Sequence, residues 1–412
     1  MATEYYDSLE VRDPEVREQE LFAALPGQLV HAASKAPFFG QQLAEFDLES
    51  VDSREALAAL PLVRKSDLSR LQKEQPPFGG LAAYNPDKLV RIFASPGPIY
   101  EPQTSRPDGW RLCRALFAAG MRKGMLVHNT FSYHFSPAGM MLESAIGELG
   151  CAVFAAGVGQ TELQVQAIAA LRPQAYTGTP SFLKIILDAG VESGADLSSL
   201  ERGLVSGEAL PPSLREDIRD RGVRLLQAYA TADIGLIAYE SEAMEGLILD
   251  EGVIVEIVQP GTGDPVASGE IGEIVVTVFN PDYPLVRFAT GDLSMVMEGQ
   301  SPCGRTNTRI KGWMGRADQT TKVRGMFVQP AQIAEIVKRF PEVSRARLVI
   351  SSENHQDQMH LKCESTDHSE ELQKEIAKTT REVCKLRADV SFEAPGSLPK
   401  DGVVIQDART YD

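Results

Sequence analysis

The chain has 412 residues, 43% of them hydrophobic and 24% charged, which predicts two or more globular domains and excludes an intrinsically disordered chain. Its formal charge of −16 argues against a nucleic-acid partner or an anionic membrane surface, because both carry phosphate charges that would repel it. Five scattered cysteines, an acidic start and the lack of any apolar run near the ~20 residues of a membrane span predict a cytoplasmic protein with no membrane partner.

The first predicted element is an amphipathic helix over residues 17–44. Its apolar side chains recur at helical spacing, and the segment Pro37-Phe38-Phe39 is expected to close it. A second helix is expected after residues 60–65, with Ser66 as its N-cap.

The central region alternates strand and helix signals. Strands are predicted at 126–129, 152–156, 175–178, 203–206 and 225–228, with intervening helices that include 162–171 and 181–189. This alternation indicates parallel βαβ units and an α/β fold with a layered sheet.

The pattern changes after residue 235, where β-branched strands at 252–257, 272–278 and 285–288 are separated by Pro and Gly turns. We therefore expect a large layered N-terminal domain over 1–315 with mixed sheets, which includes a β-rich subdomain at about 236–315. Residues 316–412 read as a small mobile α+β domain, in the order helix 330–340, strands 346–351 and 358–364, helix 369–386 and strand 389–392.

Two charged residues stand out near the domain boundary. Asp292 follows a strand, and an ionised carboxylate can accept both hydroxyls of a ribose. Arg316 can donate to the same sugar through its planar guanidinium. Taken alone, either residue would more often belong to a structural ion pair.

Four segments give these residues a context, and their order and spacing matter more than any one of them. They are Ser206-Gly207-Glu208, Tyr229-Ala230-Thr231-Ala232-Asp233, Arg287-Phe288-Ala289-Thr290-Gly291-Asp292-Leu293, and Gly315-Arg316-Ala317-Asp318 running to Lys322-Val323-Arg324-Gly325. In this order they resemble the core motifs of adenylate-forming, AMP-binding enzymes. The opening helix and Leu60-Pro61-Leu62 resemble the phenylacetate-CoA ligase branch, so the resemblance covers nearly the whole chain.

The resemblance implies a role for each motif. Ser206-Gly207-Glu208 would lie against adenine, although a simple turn would explain it too, and Tyr229 would stack on the base rather than serve as a core or rim tyrosine. Asp233 stands where the family holds Mg²⁺, and Asp318 at its hinge. The nucleotide is thus assigned to Ser206, Gly207, Glu208, Tyr229, Asp292, Arg316 and Lys322.

The phosphate-binding parts depart from the family pattern. In residues 94–102, Pro96 and Pro98 lack N–H donors and Glu101 adds an acid, so only Ser95 and Gly97 remain usable. Ala232 replaces a hydroxyl residue.

The C-terminal motif departs as well. Val403 stands where the branch has its catalytic lysine, unless Lys400 substitutes from three residues upstream. Three such losses predict slow adenylation, since each transition-state donor contributes roughly 10²- to 10³-fold.

The pocket for the acyl group is expected to include residues 131–139. His134 could hold the substrate carboxylate, with a buried core histidine as an equal alternative. The turns at 157–161 and 176–180 would line the same cleft, because ligands sit at the carboxyl ends of parallel strands, although simple turn chemistry would explain them equally well.

The resemblance predicts an acyl-activating ligase that uses ATP, Mg²⁺ and CoA. A small carboxylic acid, of aryl or arylacetic type, would be adenylated and passed to CoA or another thiol. Because several phosphate-binding groups of the family are missing, an alternative is a homologue that binds nucleotide without catalysis or that forms only the adenylate. A homodimer is a further possibility.

Overall fold

The computed structural model describes residues 4–83, 86–260, 262–317, 321–324, 326–328, 330–353, 356–399 and 403–409. The chain forms two compact units, Met1–Met314 and Gly315–Asp412. None of the helices in the described part of the chain has the length and apolar character of a membrane span.

The first unit contains helices that pack around its sheets. The long first helix begins at Pro14, where Asp13 caps it by accepting hydrogen bonds from the N–H groups of Glu15 and Val16. The helices are α1 (Pro14–Lys35), α2 (Pro37–Gln42), α3 (Arg54–Ala58), α4 (Leu68–Glu74), α5 (Cys113–Ala118), α6 (Ala138–Glu148), α7 (Thr161–Leu171), α8 (Pro180–Ser193) and α9 (Pro212–Asp220).

Of two local expectations about these helices, one is confirmed and one is wrong. α1 ends at Lys35, with its C-cap Ala36 directly before Pro37 as expected, and Pro37 begins α2, as its fixed φ allows at a first helical position. Ser66 lies inside a single 3₁₀ turn, Lys65–Asp67, so it does not cap α4.

A nine-stranded sheet forms the centre of the first unit. Its strand order is β14-β15-β10-β9-β8-β7-β6-β4-β5, and β5, β4, β6, β7 and β8 are parallel, as the alternating pattern predicts. The strands are β4 (Leu126–Asn129), β5 (Ala152–Ala155), β6 (Ala175–Gly178), β7 (Arg202–Val205), β8 (Arg224–Thr231), β9 (Gly235–Tyr239), β10 (Leu247–Leu249), β14 (Val296–Met297) and β15 (Arg309–Ile310).

A second sheet of the first unit has the order β1-β13-β12-β11, and a separate hairpin pairs β2 with β3. The region expected to be one β-rich subdomain is therefore divided, because β9, β10, β14 and β15 extend the nine-stranded sheet instead. The remaining strands are β1 (Val63–Arg64), β2 (Leu89–Ser95), β3 (Ile99–Thr104), β11 (Val253–Val258), β12 (Gly272–Val278) and β13 (Phe288–Ser294).

The second unit is an α+β module with its own apolar core. A four-stranded sheet, β20-β19-β18-β21, carries two helices, and a short hairpin precedes it. The elements are β16 (Thr321–Val323), β17 (Met326–Val328), α10 (Pro330–Arg339), β18 (Val343–Glu353), β19 (Gln356–Ser365), α11 (Glu370–Cys384), β20 (Asp389–Glu393) and β21 (Ile405–Asp407). The α/β fold class, with its small C-terminal domain, is confirmed.

Candidate functional site

The Asp292 carboxylate is held on both of its oxygens. Asp292 lies on β13 and is 8% exposed. The Tyr229 hydroxyl donates to its Oδ2 at 2.8 Å, and the Trp313 indole N–H donates to its Oδ1 at 3.0 Å. Because both oxygens of an ionised carboxylate accept hydrogen bonds, these two donors fix the orientation of the Asp292 carboxylate.

A lysine that the sequence motifs did not single out lies beside this strand. Parallel pairing of β1 with β13 places Val63 opposite Phe288 and Arg64 opposite Ala289, so Lys65 continues toward Asp292. Its ammonium contacts the Asp233 carboxylate at 2.5 Å, and the Asp233 side chain is fully buried.

Lys65 keeps its positive charge in this environment. Burial lowers the pKa of Lys65, but the negative charge of Asp233, with smaller contributions from Glu101 and Asp292, outweighs burial and raises that pKa above its ordinary value. The site therefore holds a fixed cation at neutral pH.

The Pro- and Gly-rich segment at 94–102 forms the turn of the β2–β3 hairpin and the adjoining ends of its two strands. Ser95 and Glu101 are both buried, and the Ser95 hydroxyl donates to Glu101 Oε1. Burial and the nearby charge of Asp233 raise the pKa of Glu101 to about 8, against the opposing effects of Ser95 and Lys65. Glu101 is thus mostly protonated at pH 7, and it does not add the negative charge that the sequence led us to expect.

We expect this proton to make stability depend on pH. The folded-state pKa of Glu101 lies above its ordinary value of 4.5, so the unfolded chain releases a proton that the folded chain keeps. Wild-type stability should fall by up to about 1.4 kcal/mol per pH unit between the two values. Glu101→Gln cannot titrate, so its melting temperature should rise relative to wild type from pH 5 to pH 8.

Thermal melts of wild type and Glu101→Gln across this pH range test the point. Glu242→Gln replaces an exposed glutamate of the same unit and serves as the control, with a constant offset expected. Parallel curves for Glu101→Gln and wild type would mean that Glu101 is ionised throughout.

Three buried polar atoms of this region stand without a hydrogen-bond partner among the described residues: Asp233 Oδ1, Glu101 Oε2 and Tyr283 Oη. The three groups lie close enough to interact electrostatically. Burial raises the pKa of Tyr283, and the negative charges of Asp233 and Glu101 raise it further. Buried polar atoms of this kind usually meet a ligand, an ion or water. The cluster is therefore a candidate binding centre.

The segment Ser206-Gly207-Glu208 lies at the carboxyl end of β7, one strand away from Tyr229 on β8. Ser206 N–H donates to Gly178 O at 3.2 Å, and Glu208 accepts from Ser181 N–H at the start of α8. Gly178 itself is required, because a Cβ there would lie 2.0 Å from Thr130 Oγ1. Gly207 and Glu208 are exposed, so this edge is open to a ligand.

His134 is exposed, which removes the alternative of a buried core histidine. The buried histidine of this region is His128 on β4, whose Nε2 lies 2.6 Å from Gln164 Oε1, and burial lowers its pKa. Next to it, Asn129 donates to the Tyr133 hydroxyl at 2.8 Å and accepts from Thr177 at 3.0 Å. Sequence reasoning missed this network, because its members come from two strands, a loop and α7 and are brought together only by the fold.

The second unit carries the remaining predicted residues. Arg316 lies at its beginning, and Lys322 is on β16, where its backbone alone is described. Asp318 and Lys400 lie outside the described residues. The backbone that leads to Lys400 is anchored, since Arg345 and Arg347 donate to Pro399 O at 2.7 and 3.1 Å.

Comparison with known proteins identifies the family to which the chain belongs. The profile of AMP-binding enzymes matches residues 112–278, and that of the AMP-binding enzyme C-terminal domain matches 325–408. The two matches together cover more than half of the chain. The chain belongs to the AMP-binding, adenylate-forming enzymes.

Its relatives lie on the phenylacetate-CoA ligase-like branch. The chain is 28% identical to the phenylacetate-coenzyme A ligase of Pseudomonas putida over 420 residues, which cover 96% of this chain and 94% of that protein. It is also 28% identical to the corresponding Thermus thermophilus ligase, over 82% of this chain and 79% of that protein. The resemblance seen in the sequence motifs is thereby confirmed.

Solved structures agree on the fold. A 2-hydroxyisobutyryl-CoA ligase, in complex with 2-HIB-AMP and CoA, superposes with a TM-score of 0.82 at 22% identity. The superposition covers 98% of this chain and 92% of that one. At this level of identity, the likeness supports the fold and no substrate.

Proposed function

We propose that the chain is an acyl-activating ligase, which uses ATP to adenylate a carboxylic acid and then passes the acyl group to CoA. The near full-length similarity to phenylacetate-coenzyme A ligases supports both half-reactions. The names of these relatives also support an aryl or arylacetic acid as the substrate.

Lys65 is the observation that carries this proposal. The case for a non-catalytic homologue rested on the loss of positive charge near the phosphates. Lys65 supplies a partly buried cation beside the buried Asp233, and Glu101 is largely neutral at pH 7. A preorganised cation stabilises charge that develops on phosphate oxygens, so Lys65 answers the objection that positive charge is missing.

The other residues take the roles that the family implies. In this proposal Asp292, Tyr229 and Arg316 bind the nucleoside, with Ser206, Gly207 and Glu208 along adenine. Ser95, Gly97, Lys322 and Lys400 serve the phosphates, His134 serves the substrate carboxylate, and Asp318 is the hinge.

Mg²⁺ fits at Asp233. Its buried Oδ1 has no hydrogen-bond partner among the described residues, and a hard cation prefers such an oxygen. No three His, Cys, Asp or Glu side chains of the described residues converge on one ion, so Mg²⁺ would complete its shell with water and ATP phosphates. Bound there, the ion would neutralise phosphate charge.

Pyrophosphate release over a panel of aryl, arylacetic and aliphatic acids tests the proposal. Adenylation should release pyrophosphate with arylacetic acids, and CoA should then yield the thioester, detected by mass spectrometry. Background release with every acid, at saturating ATP and Mg²⁺, would refute the ligase and leave a binding protein.

We expect Trp313→Phe to weaken AMP binding about threefold to tenfold. The phenyl ring keeps most of the shape but removes the N–H that orients Asp292, and a hydrogen bond to a charged group contributes about 1.5–3 kcal/mol, only part of which would reach the ligand. With 2′-deoxy-AMP, which lacks one ribose donor, the penalty should shrink. Calorimetry with both nucleotides measures this difference.

Trp110→Phe is the matched control. It makes the same substitution at a tryptophan that packs on Phe93 and not on Asp292. Equal losses in the two variants, or equal losses with both nucleotides, would show that Trp313 does not act through Asp292.

A further inference from the structure

Gln72 joins helix α4 to the hairpin that carries the phosphate-binding segment. Its side chain is buried, with 5% exposed. The amide Nε2 donates to Tyr100 O at 2.8 Å, and the amide Oε1 accepts from Tyr100 N–H at 2.8 Å. Because a primary amide offers both a donor and an acceptor, Gln72 pairs with the Tyr100 backbone as a residue of a neighbouring strand would.

These two hydrogen bonds hold the outer edge of β3. Tyr100 lies opposite Ala94 of β2 in the hairpin, and its N–H and C=O groups both bond to α4. Among the described residues β3 pairs with no strand other than β2, so its outer backbone groups need another partner. Loss of the Gln72 amide would therefore loosen the hairpin from α4.

The turn of the hairpin packs on the same helix. Ser69, about one helical turn before Gln72 on α4, donates to Pro98 O at 3.3 Å. A Cβ at Gly97 would lie 3.2 Å from Ser69 Oγ, so the turn approaches α4 closely. The helix thus contacts the hairpin at its turn and again at Tyr100.

The segment that carries this helix also carries Lys65. The 3₁₀ turn Lys65–Asp67 runs directly into α4, and about two helical turns separate Lys65 from Gln72. Burial and Asp233 raise the pKa of Glu101 on the hairpin, whereas the charge of Lys65 lowers it. Lys65 and the inner side of the hairpin therefore lie close together, and α4 connects them.

We propose that Gln72 is a positioning residue, which fixes Ser95 and Gly97 of the hairpin relative to Lys65 so that all three can hold the terminal phosphates of ATP. The choice of ATP as the ligand rests on the proposed function. Groups that bind a reacting ligand must be held within about 0.5 Å, and hydrogen bonds from supporting residues provide this precision. Gln72 acts through α4 and the hairpin, without contact with the ligand.

Calorimetry on the full chain, with ATP and Mg²⁺ and separately with AMP, tests this role. Gln72→Met keeps the length of the side chain and removes both hydrogen bonds. ATP should bind about fivefold to tenfold more weakly, a loss typical of one hydrogen bond to a charged group. AMP lacks the terminal phosphates, so its Kd should stay as in wild type. Hydrogen exchange at the Tyr100 amide should become faster, because its acceptor is gone.

Steady-state kinetics separate positioning from a merely structural role. In Gln72→Met, pyrophosphate release should fall about 10- to 100-fold, since a displacement of about 1 Å at reacting groups has effects of this size. The KM for ATP should rise, while the KM for the acid should not. A structural role alone would lower the fraction of folded enzyme, and kcat would then fall with every KM unchanged.

Gln28→Met is the matched control. Gln28 on α1 donates to Val278 O and Asn280 O at 3.0 and 3.3 Å, so the same substitution removes hydrogen bonds to the backbone away from the hairpin. It should bind ATP and AMP as wild type does. If Gln72→Met does not fold, Gln72→Glu replaces it. This variant keeps the acceptor for Tyr100 N–H but has no donor for Tyr100 O when ionised, so a smaller selective loss of ATP is expected.

The proposal is overturned if the folded Gln72 variant binds ATP as wild type does, if it loses ATP and AMP equally, or if wild type binds no ATP. Pyrophosphate release by wild type reports separately on the ligase. Selective loss of ATP binding without release from any acid would refute the ligase and retain the positioning role. Release by wild type without a selective loss in the variant would remove only the positioning role.

Discussion

Lys65→Met should lower pyrophosphate release about 100- to 1,000-fold, the usual effect of removing one group that stabilises charge in a transition state. AMP binding should change little, because the negative charge that Lys65 meets grows only as the phosphate bond breaks. Methionine keeps the length of the side chain and removes its charge. Steady-state kinetics with the best acid of the panel, together with AMP calorimetry, give the two readouts.

Removal of Lys65 also leaves the Asp233 carboxylate buried without its ion-pair partner, and such a loss costs about 3–5 kcal/mol of stability. Lys65→Met/Asp233→Asn separates this effect, because it restores neutrality without restoring the cation. Lys73→Met, at an exposed position on α4, controls for loss of a lysine. If Lys65→Met turns over at the wild-type rate while Lys400→Ala is inactive, the cation comes from Lys400 instead.

The parallel half of the large sheet could be predicted from the sequence. Its short apolar runs end in turn residues, and segments with helical spacing of apolar residues separate them. β4 and β6 begin and end where predicted, β5 ends one residue early, and β7 is shifted by one residue toward the N-terminus. The second unit was equally readable, since its helices have strong apolar periodicity. Local patterns sufficed in both regions.

The last strand of the smaller sheet was misplaced for a reason that the sequence hides. A strand was expected at 285–288, but β13 begins at Phe288, because Arg287 adopts φ of +43°. Its buried guanidinium pairs with Glu256 at 2.9 Å and donates to the carbonyl oxygens of Ala58 and Gly263. These distant partners fix the backbone at Arg287, and no local propensity reveals them.

In the candidate site too, local motifs were predictable and long-range contacts were not. Tyr229 and Asp292 were singled out because they stand within ordered motifs. Lys65 was missed, since its partner Asp233 is 168 residues away in the sequence and only the tertiary fold brings them together. The charge state of Glu101 was misjudged, because it depends on burial that composition cannot show.

Asp292→Ala should raise the Kd for AMP at least tenfold, a loss of ~1.5 kcal/mol or more. In the proposed site the carboxylate accepts both ribose hydroxyls, while Tyr229 and Trp313 hold its two oxygens in place. Asp292→Asn keeps the shape but offers one acceptor oxygen in place of two. Its amide would then face a donor, so a similar loss is expected, and calorimetry with AMP compares the two variants.

Removing ribose hydroxyls from the ligand tests whether the loss arises where we place it. In wild type, 2′-deoxy-AMP and 3′-deoxy-AMP should each bind more weakly than AMP, because one bond to Asp292 is missing. In Asp292→Ala the three nucleotides should bind almost equally, since their common acceptor is gone. Asp264→Ala, at an exposed loop position, should behave as wild type. If Asp292→Ala still discriminates among the three nucleotides as wild type does, the ribose is held by another residue, and the Tyr229–Asp292–Trp313 arrangement is structural.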